Sequence, residues 1–193
     1  MAKLYFRYGA MNSGKSTALI QVAHNYEERG MKVLVLKPEV DSKIQDSISS
    51  RIGIDRKVDY LITSEDDVFE LVNSLEEKPA CILVDEAQFL EVRQIDQLFR
   101  LVIDLNLPVI SYGLRTDFSM TGFPASERLL LLAHDIEELK TICRCGRKAI
   151  LNGRKIDGKF TFEGDQVVID NQQDVSYEAL CGQCYLDERR KHE

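Results

Sequence analysis

The stretch GAMNSGKS, residues Gly9, Ala10, Met11, Asn12, Ser13, Gly14, Lys15 and Ser16, fits the pattern G-x-x-x-x-G-K-[ST]. Its glycines let backbone N–H groups curl around phosphate oxygens, while Lys15 reaches the β- and γ-phosphates of a nucleoside triphosphate. Ser16 offers a hydroxyl to magnesium, and the helix that opens here adds a favourable field. A second chemical stretch is CILVDEAQF, residues 81 to 89, where an apolar run ends in two adjacent acids. Asp85 delivers its carboxylate to the magnesium that Ser16 holds. Glu86 is then either a solvated strand-end carboxylate or the base that takes a proton from whatever attacks the γ-phosphorus. On a backbone still extended at the strand end, it points away from Asp85.

The attacker is water in an ATPase or motor and a substrate hydroxyl in a kinase, and the phosphate loop does not choose between them. A second small-molecule pocket would. Residues 113 to 124, GLRTDFSMTGFP, form a polar, glycine-flanked segment carrying Phe118 and Phe123. These rings either line a slot for a flat ligand or pack beneath the loop as core.

Strands and helices must bring these stretches together. KLYFRYG (3 to 9), KVLVLKP (32 to 38), CILVDEA (81 to 87) and PVISYGL (108 to 114) read as buried strands. Between them KSTALIQVAHNYEERG places Leu19, Val22, Ala23 and Tyr26 on one helical face, with Gly30 as its C-terminal stop. SEDDVFELVNSLEEK opens a helix at Ser64, and EVRQIDQLFRLVIDLN spaces Val92, Ile95, Leu98, Phe99 and Val102 helically. Such alternation predicts an α/β fold, a parallel sheet flanked by helices with ligands at the strand C-termini. Beyond residue 140 the texture turns glycine-rich and strand-like, so the chain divides into a P-loop α/β nucleotide-binding domain over 1–139 and a small β-rich domain over 140–193. The final DERRKHE reads as a solvated tail.

Composition narrows the function classes. The 193 residues and 44% hydrophobic content suffice for one ordinary core. The N-terminus lacks the flank and apolar stretch of a signal peptide, and no apolar run spans a bilayer, so the expectation is a cytoplasmic chain with no membrane partner. A net charge of −7, from 25 Lys+Arg against 32 Asp+Glu, argues against extended nucleic-acid binding.

GAMNSGKS, DEAQF, YGLRTDF followed by Phe123, LKTICRCGRKA and SYEALCGQCY, in this order and at these separations, closely resemble the thymidine kinases of many bacteria and of animal cytosol. The resemblance covers nearly the whole chain. It implies transfer of the ATP γ-phosphoryl group to the 5′-hydroxyl of thymidine, a P-loop NTPase-like fold, a homotetramer and feedback inhibition by dTTP. It places Gly9 to Ser16 together with Asp85, Glu86, Ala87 and Gln88 at ATP, and makes Glu86 the general base. Met11, Phe89, Phe118 and Phe123 match residues around the nucleoside, and Tyr177 matches a tyrosine on the loop, the lasso, that folds over it. The competing reading is a P-loop ATPase or nucleic-acid-associated module with a zinc ribbon.

Four of the five cysteines form close pairs, Cys143-x-Cys145 and Cys181-x2-Cys184, while Cys81 lies inside an apolar strand as core. Four thiolates suit a structural Zn²⁺ that supplies folding energy a segment of this size cannot draw from its own core. The alternative is four unliganded thiols. Residues 140–193 hold 10 basic and 9 acidic residues, which is no footprint for nucleic acid. The chain departs from the family in two places. IDNQQDVSY replaces a double glycine before the lasso tyrosine and is two residues longer, and Asn152 falls where some relatives have a threonine near the thymine methyl. Arg51 and Arg115 are either phosphate-assisting or surface arginines.

Overall fold

Strands whose side chains are apolar on both faces need cover on both faces, and here they form the middle of one parallel sheet. The computed structural model describes residues 1–40, 46–50, 53–166 and 174–192. Its first part runs β1 (Leu4–Tyr8), α1 (Lys15–Glu27), β2 (Val33–Pro38), β3 (Ser47–Ser49), β4 (Asp55–Lys57), β5 (Tyr60–Ile62), α2 (Val68–Asn73), β6 (Cys81–Val84), α3 (Val92–Asp104), β7 (Val109–Gly113), α4 (Pro124–Leu132) and β8 (Asp135–Glu138). A 3₁₀ turn, Ala87–Phe89, follows β6.

The sheet order is β5-β2-β6-β7-β1-β8, with every pairing parallel. The four expected strands take the four central positions. The edges are β5 and β8, and the DIEE sequence of β8 carries the charge that an exposed edge tolerates. Because all strands run the same way, the segments after β1, β6 and β7 emerge at one end of the sheet, the end where ligands bind in such folds. One apolar layer packs α2, α3 and α4 against Leu4, Phe6, Leu36, Ile82 and Val84. The other packs Leu19 and Ala23 of α1 against Val35, Leu83 and Tyr112.

The helices differ from expectation at their ends. Gly30, at φ 71°, does close α1: the Met31 N–H donates to Tyr26 O (3.0 Å) and the Gly30 N–H to Glu27 O (2.9 Å), satisfying the last carbonyls. The second helix is much shorter than the stretch beginning at Ser64. Asp66 Oδ2 accepts from Thr63 N and Oγ1 (2.7 and 2.9 Å), making a turn, so the cap passes to Asp67, which accepts from Glu70 N at 2.9 Å. In α3 the first residue, Val92, is 41% exposed, and the apolar face is completed by Leu101 instead.

The chain then forms the hairpin of β9 (Thr141–Ile142) and β10 (Lys148–Ala149), followed by β11 (Leu151–Ile156), β12 (Lys159–Thr161), β13 (Val175–Leu180) and α5 (Gly182–Arg190). β11 is the centre of an antiparallel sheet β12-β11-β13. A third core cluster holds Cys143, Ala149, Leu180, Cys181 and Tyr185 together with Ala10 of the phosphate loop, so this part packs on the loop itself. The C-terminal DERR is helix rather than tail. Glu188 is buried, accepting from Arg144 and from Lys191 Nζ (2.9 Å), because the short segment needs α5 as its cover. Among the described residues no helix is long and apolar enough to cross a membrane.

Candidate functional site

The phosphate loop is shaped by close approach. A Cβ on Gly9 would stand 2.4 Å from both Leu139 O and Ser13 Oγ, so only glycine fits. Asn12 and Gly14 take positive φ, 65° and 82°, and turn the backbone into α1. Lys15 Nζ folds back over the loop, donating to Ala10 O (2.9 Å), Gly9 O (3.1 Å) and Ser13 Oγ (3.3 Å). Burial lowers its pKa, and the nearby charges of Glu86 and Asp85 oppose that shift. Ser16 lies in the first turn of α1. The Met11 N–H is already committed, donating to Asn152 Oδ1 at 2.7 Å, which ties the loop to β11.

Asp85 continues the ladder of β6 by donating its N–H to Leu36 O at 2.9 Å. It is 4% exposed, and its carboxyl is pushed up to about 7, first by burial and then by the charge of Glu86, against the pull of Lys37 and Lys15. A divalent cation at this position would hold the carboxylate ionised. The backbone at Glu86 is not extended: φ 50° and ψ 39° place it in the left-handed region, a conformation that costs a non-glycine residue of order 1–3 kcal/mol. The Asp85 N–H makes the last ladder bond of β6, and Glu86 then turns the chain into the 3₁₀ segment, with Phe89 N donating to Glu86 O at 3.1 Å. Its side chain is held by Gln88, whose Nε2 donates to Glu86 Oε2 at 2.5 Å while its Oε1 accepts from Leu114 N at 3.1 Å. Gln88 therefore faces the loop after β7, and Ala87 is buried in the core.

Beside these acids lies a cavity of about 130 Å³. Met11, Glu86, Phe89, Phe118, Phe123 and Tyr177 are brought together in its lining. Phe89 and Phe123 meet edge to face, 5.6 Å between centroids at 85°. Phe118 and Phe123 are 2% and 3% exposed, so these rings pack as core while also forming part of the cavity wall. The remaining lining, Gln88, Leu114, Thr116, Asp117, Asn152 and Gln166, is mostly polar. Asp117 organises the loop: its Oδ1 accepts from Ser119 N (2.8 Å), Ser119 Oγ (2.8 Å) and Thr121 N (2.9 Å), and its Oδ2 from Gln166 Nε2 (3.1 Å). The turn signal D-x-S-x-T was present in the sequence for Asp117. Nothing local marks Gln166.

Arg115 sits near the phosphate loop, its Cζ 5.3 Å from the centroid of Tyr8, in a small hollow shared with Gly9 and Ala10. Arg51 lies outside the described residues, as does the glycine-free run from Ile169 to Gln173.

The four cysteines converge. Their Sγ atoms all lie within 4.8 Å of one another, a group that could hold a metal ion. One pair sits in a turn closed by Gly146 N donating to Cys143 O (2.8 Å), with Gly146 at φ 83°. The other opens α5, where Cys184 N donates to Cys181 Sγ at 3.5 Å. That N–H first, and the neighbouring thiols, lower Cys181 to about 7, whereas sharing protons with Cys145 and Cys143 pushes Cys184 up to about 12. An all-thiol set that cannot ionise together without a cation fits a soft divalent metal. Cys81 stands apart, buried in β6, its thiol pushed up to about 11 by burial.

The model of the thymidine kinase family matches residues 2–185. Among curated relatives, thymidine kinase of Legionella pneumophila (strain Paris) is 46% identical over 187 residues, covering 94% of this chain and 88% of that protein. Thymidine kinase of Lactococcus lactis subsp. lactis (strain IL1403) is 46% identical over 188 residues, covering 96% and 98%. Thymidine kinase of Streptococcus pyogenes serotype M1 is 43% identical over 189 residues, covering 97% and 98%.

Proposed function

The chain belongs to the thymidine kinase family, and from that premise we propose that it transfers the γ-phosphoryl group of ATP to the 5′-hydroxyl of thymidine, giving dTMP. The observation that carries this reading is the position of Glu86, whose carboxylate lines the aromatic pocket while Asp85, one residue earlier, is buried at the end of β6. Its neighbour Lys15 belongs to the phosphate loop and feels both acids. A nucleoside in the pocket thus presents its hydroxyl between a base and the phosphate site.

The division of labour follows from these placements. Gly9 to Ser16 cradle the triphosphate, and Lys15 opens from its carbonyl partners onto the β- and γ-oxygens. Ser16 and Asp85 would hold Mg²⁺, which would supply charge neutralisation at the phosphate oxygens. Glu86 accepts the proton of the 5′-hydroxyl as that oxygen attacks, and Gln88 keeps the carboxylate turned towards the pocket. Phe89, Phe118 and Phe123 enclose the base, Met11 and Tyr177 close over it, and Asn152, fixed by Met11 N–H, sets one polar contact of the pocket. Cys143, Cys145, Cys181 and Cys184 hold a structural Zn²⁺. A homotetramer inhibited by dTTP rests on the resemblance alone, whereas a cytoplasmic location and the division into a nucleotide domain to residue 139 and a zinc domain beyond it rest on the sequence pattern.

The test is direct. Protein, ATP and magnesium are incubated with each nucleoside separately, and thymidine is expected to give its monophosphate. ADP release without any nucleoside, unchanged by thymidine, would mark an ATPase instead. Tyr177→Ala is expected to raise KM for thymidine by about tenfold, the effect of roughly 1.4 kcal/mol of lost contact, with KM for ATP nearly unchanged. A collapse of ATP affinity would put Tyr177 at the wrong ligand. Asp85→Asn removes the ionised carboxylate from the metal, so the magnesium concentration for half-maximal rate is expected to rise by about tenfold or more, a factor that corresponds to roughly 1.4 kcal/mol. An unaltered magnesium titration would remove Asp85 from the metal.

A further inference from the structure

Phe118 forms part of the pocket wall, on a loop whose local order comes from the Asp117 turn, the isolated bridge between Thr116 and Gly122 and the Phe123 N–H donating to Arg115 O at 3.3 Å. Its position is fixed from far along the chain. The hydroxyl of Tyr185 donates to Phe118 O at 2.6 Å across 67 residues, and the Tyr185 ring is wholly buried, edge-on to Phe162 at 5.3 Å. Against the ring of Phe118 lies the guanidinium of Arg154, with Cζ 3.6 Å from the ring centroid. Arg154 is 1% exposed, an unusual place for a charge. Its two terminal nitrogens donate to Asp165 O (2.6 Å) and Glu163 O (2.7 Å), holding the segment after β12 that delivers Gln166 to Asp117. In β11, Arg154 also stands directly opposite Tyr177 of β13.

We infer that Tyr185 and Arg154 are positioning residues for the nucleoside: acting from the C-terminal segment, they hold Phe118 preformed as a wall of the pocket. Neither lines the cavity, so neither touches the ligand. Their effect passes through one ring and one carbonyl. A wall held in place raises the fraction of molecules competent to bind, and apparent affinity falls in proportion when that fraction drops. Burying a guanidinium would be a poor way to fill space, since an apolar side chain does so without desolvating a charge. The planar fork does what an apolar chain cannot: it stacks on Phe118 and ties down two carbonyls at once. This rests on the reading that the cavity takes the nucleoside.

The experiment uses the intact, metal-loaded protein and varies thymidine and ATP separately. Tyr185→Phe keeps the buried ring and removes a single hydrogen bond, worth about 0.5–1.5 kcal/mol, so KM for thymidine is expected to rise about 3- to 10-fold. Arg154→Met keeps volume and contact with the ring but loses the fork, and is expected to raise it tenfold or more. Arg154→Lys should not restore it. In every variant KM for ATP and the metal content per chain are expected to stay at the wild-type value. If Arg154→Met fails to fold, Tyr185→Phe alone decides. Wild-type KM for thymidine in Tyr185→Phe, or equal rises in both KM values, would overturn the inference. A wild-type protein that phosphorylates no nucleoside would instead overturn the reading of the cavity, and this inference with it.

Discussion

Glu86→Gln is expected to lower kcat by about 10²- to 10⁴-fold, the usual contribution of a general base, with KM for thymidine and for ATP little changed. The substitution is close to isosteric, and the local hydrogen bond survives it: Gln88 Nε2, now 2.5 Å from a carboxylate oxygen, can donate equally to an amide carbonyl. The left-handed backbone at this residue is untouched, since glutamine and glutamate carry the same cost there. What is lost is the ability to take a proton. The adjacent acid also responds in a known direction. The charge of Glu86 is one of the causes that push Asp85 up to about 7, so its removal lets Asp85 ionise at lower pH and magnesium meets less competition from protons. Saturating magnesium in the assay separates a lost base, which leaves kcat low, from a weakened metal site, which magnesium restores. Near-normal turnover, or a defect that appears mainly in KM for ATP, would show that the proton goes elsewhere.

The part of the site built on regular strands was legible because its signals are local. GAMNSGKS needs only a strand before it and a helix after it, and CILVDE reads as a buried strand ending in acid. The central strands were legible for the same reason, being buried on both faces, whereas β8 was not: as an edge it needs no apolar run, and DIEE resembles any exposed segment. The orientation of Glu86 was missed through a specific assumption. Strand alternation places adjacent side chains on opposite faces only while the backbone stays extended, and here the chain turns left-handed one residue after Asp85. The side chain reaches the pocket by that turn and by the grip of Gln88.

The polar contacts of the pocket were legible only in part, Asn152 through the family resemblance, and their pairing not at all. Asp117, Asn152 and Gln166 come from three segments that only the tertiary fold brings together. Their partners lie 49 residues apart in the Gln166–Asp117 bond and 141 apart in the Met11–Asn152 bond. No window of sequence contains such a pair. Arg154 is the extreme case: a basic residue in a strand with lysine beside it reads as solvated surface, and its burial follows from Phe118 and from the carbonyls of Glu163 and Asp165 in the segment after β12.

Cys181→Ser is expected to abolish stable metal binding and to lower the melting temperature by about 10 °C or more. Four thiol sulfurs within 4.8 Å of one another match a tetrahedral thiolate set, in which metal–sulfur bonds of about 2.3 Å bring the sulfurs close together. For a small segment such a site is folding energy, apparent values for structural zinc in peptides being about 10–16 kcal/mol at neutral pH. Only a fraction of this is at stake here, because Leu180, Tyr185 and Ala149 give the segment some core of its own. A loss of about 4 kcal/mol is enough, at roughly 2–4 °C per kcal/mol for a chain of this size. The serine hydroxyl can still accept from Cys184 N at the start of α5, so the helix keeps its cap and the loss isolates the metal. Cys81→Ser is the control: it puts a hydroxyl into β6 and costs stability, but is expected to leave one metal ion per chain by native mass spectrometry. Since Cys184 directly precedes Tyr185, which holds Phe118, the metal-free variant should also show a raised KM for thymidine. Metal retained at one per chain with an unchanged melting temperature in Cys181→Ser would remove this cluster from the architecture of the fold.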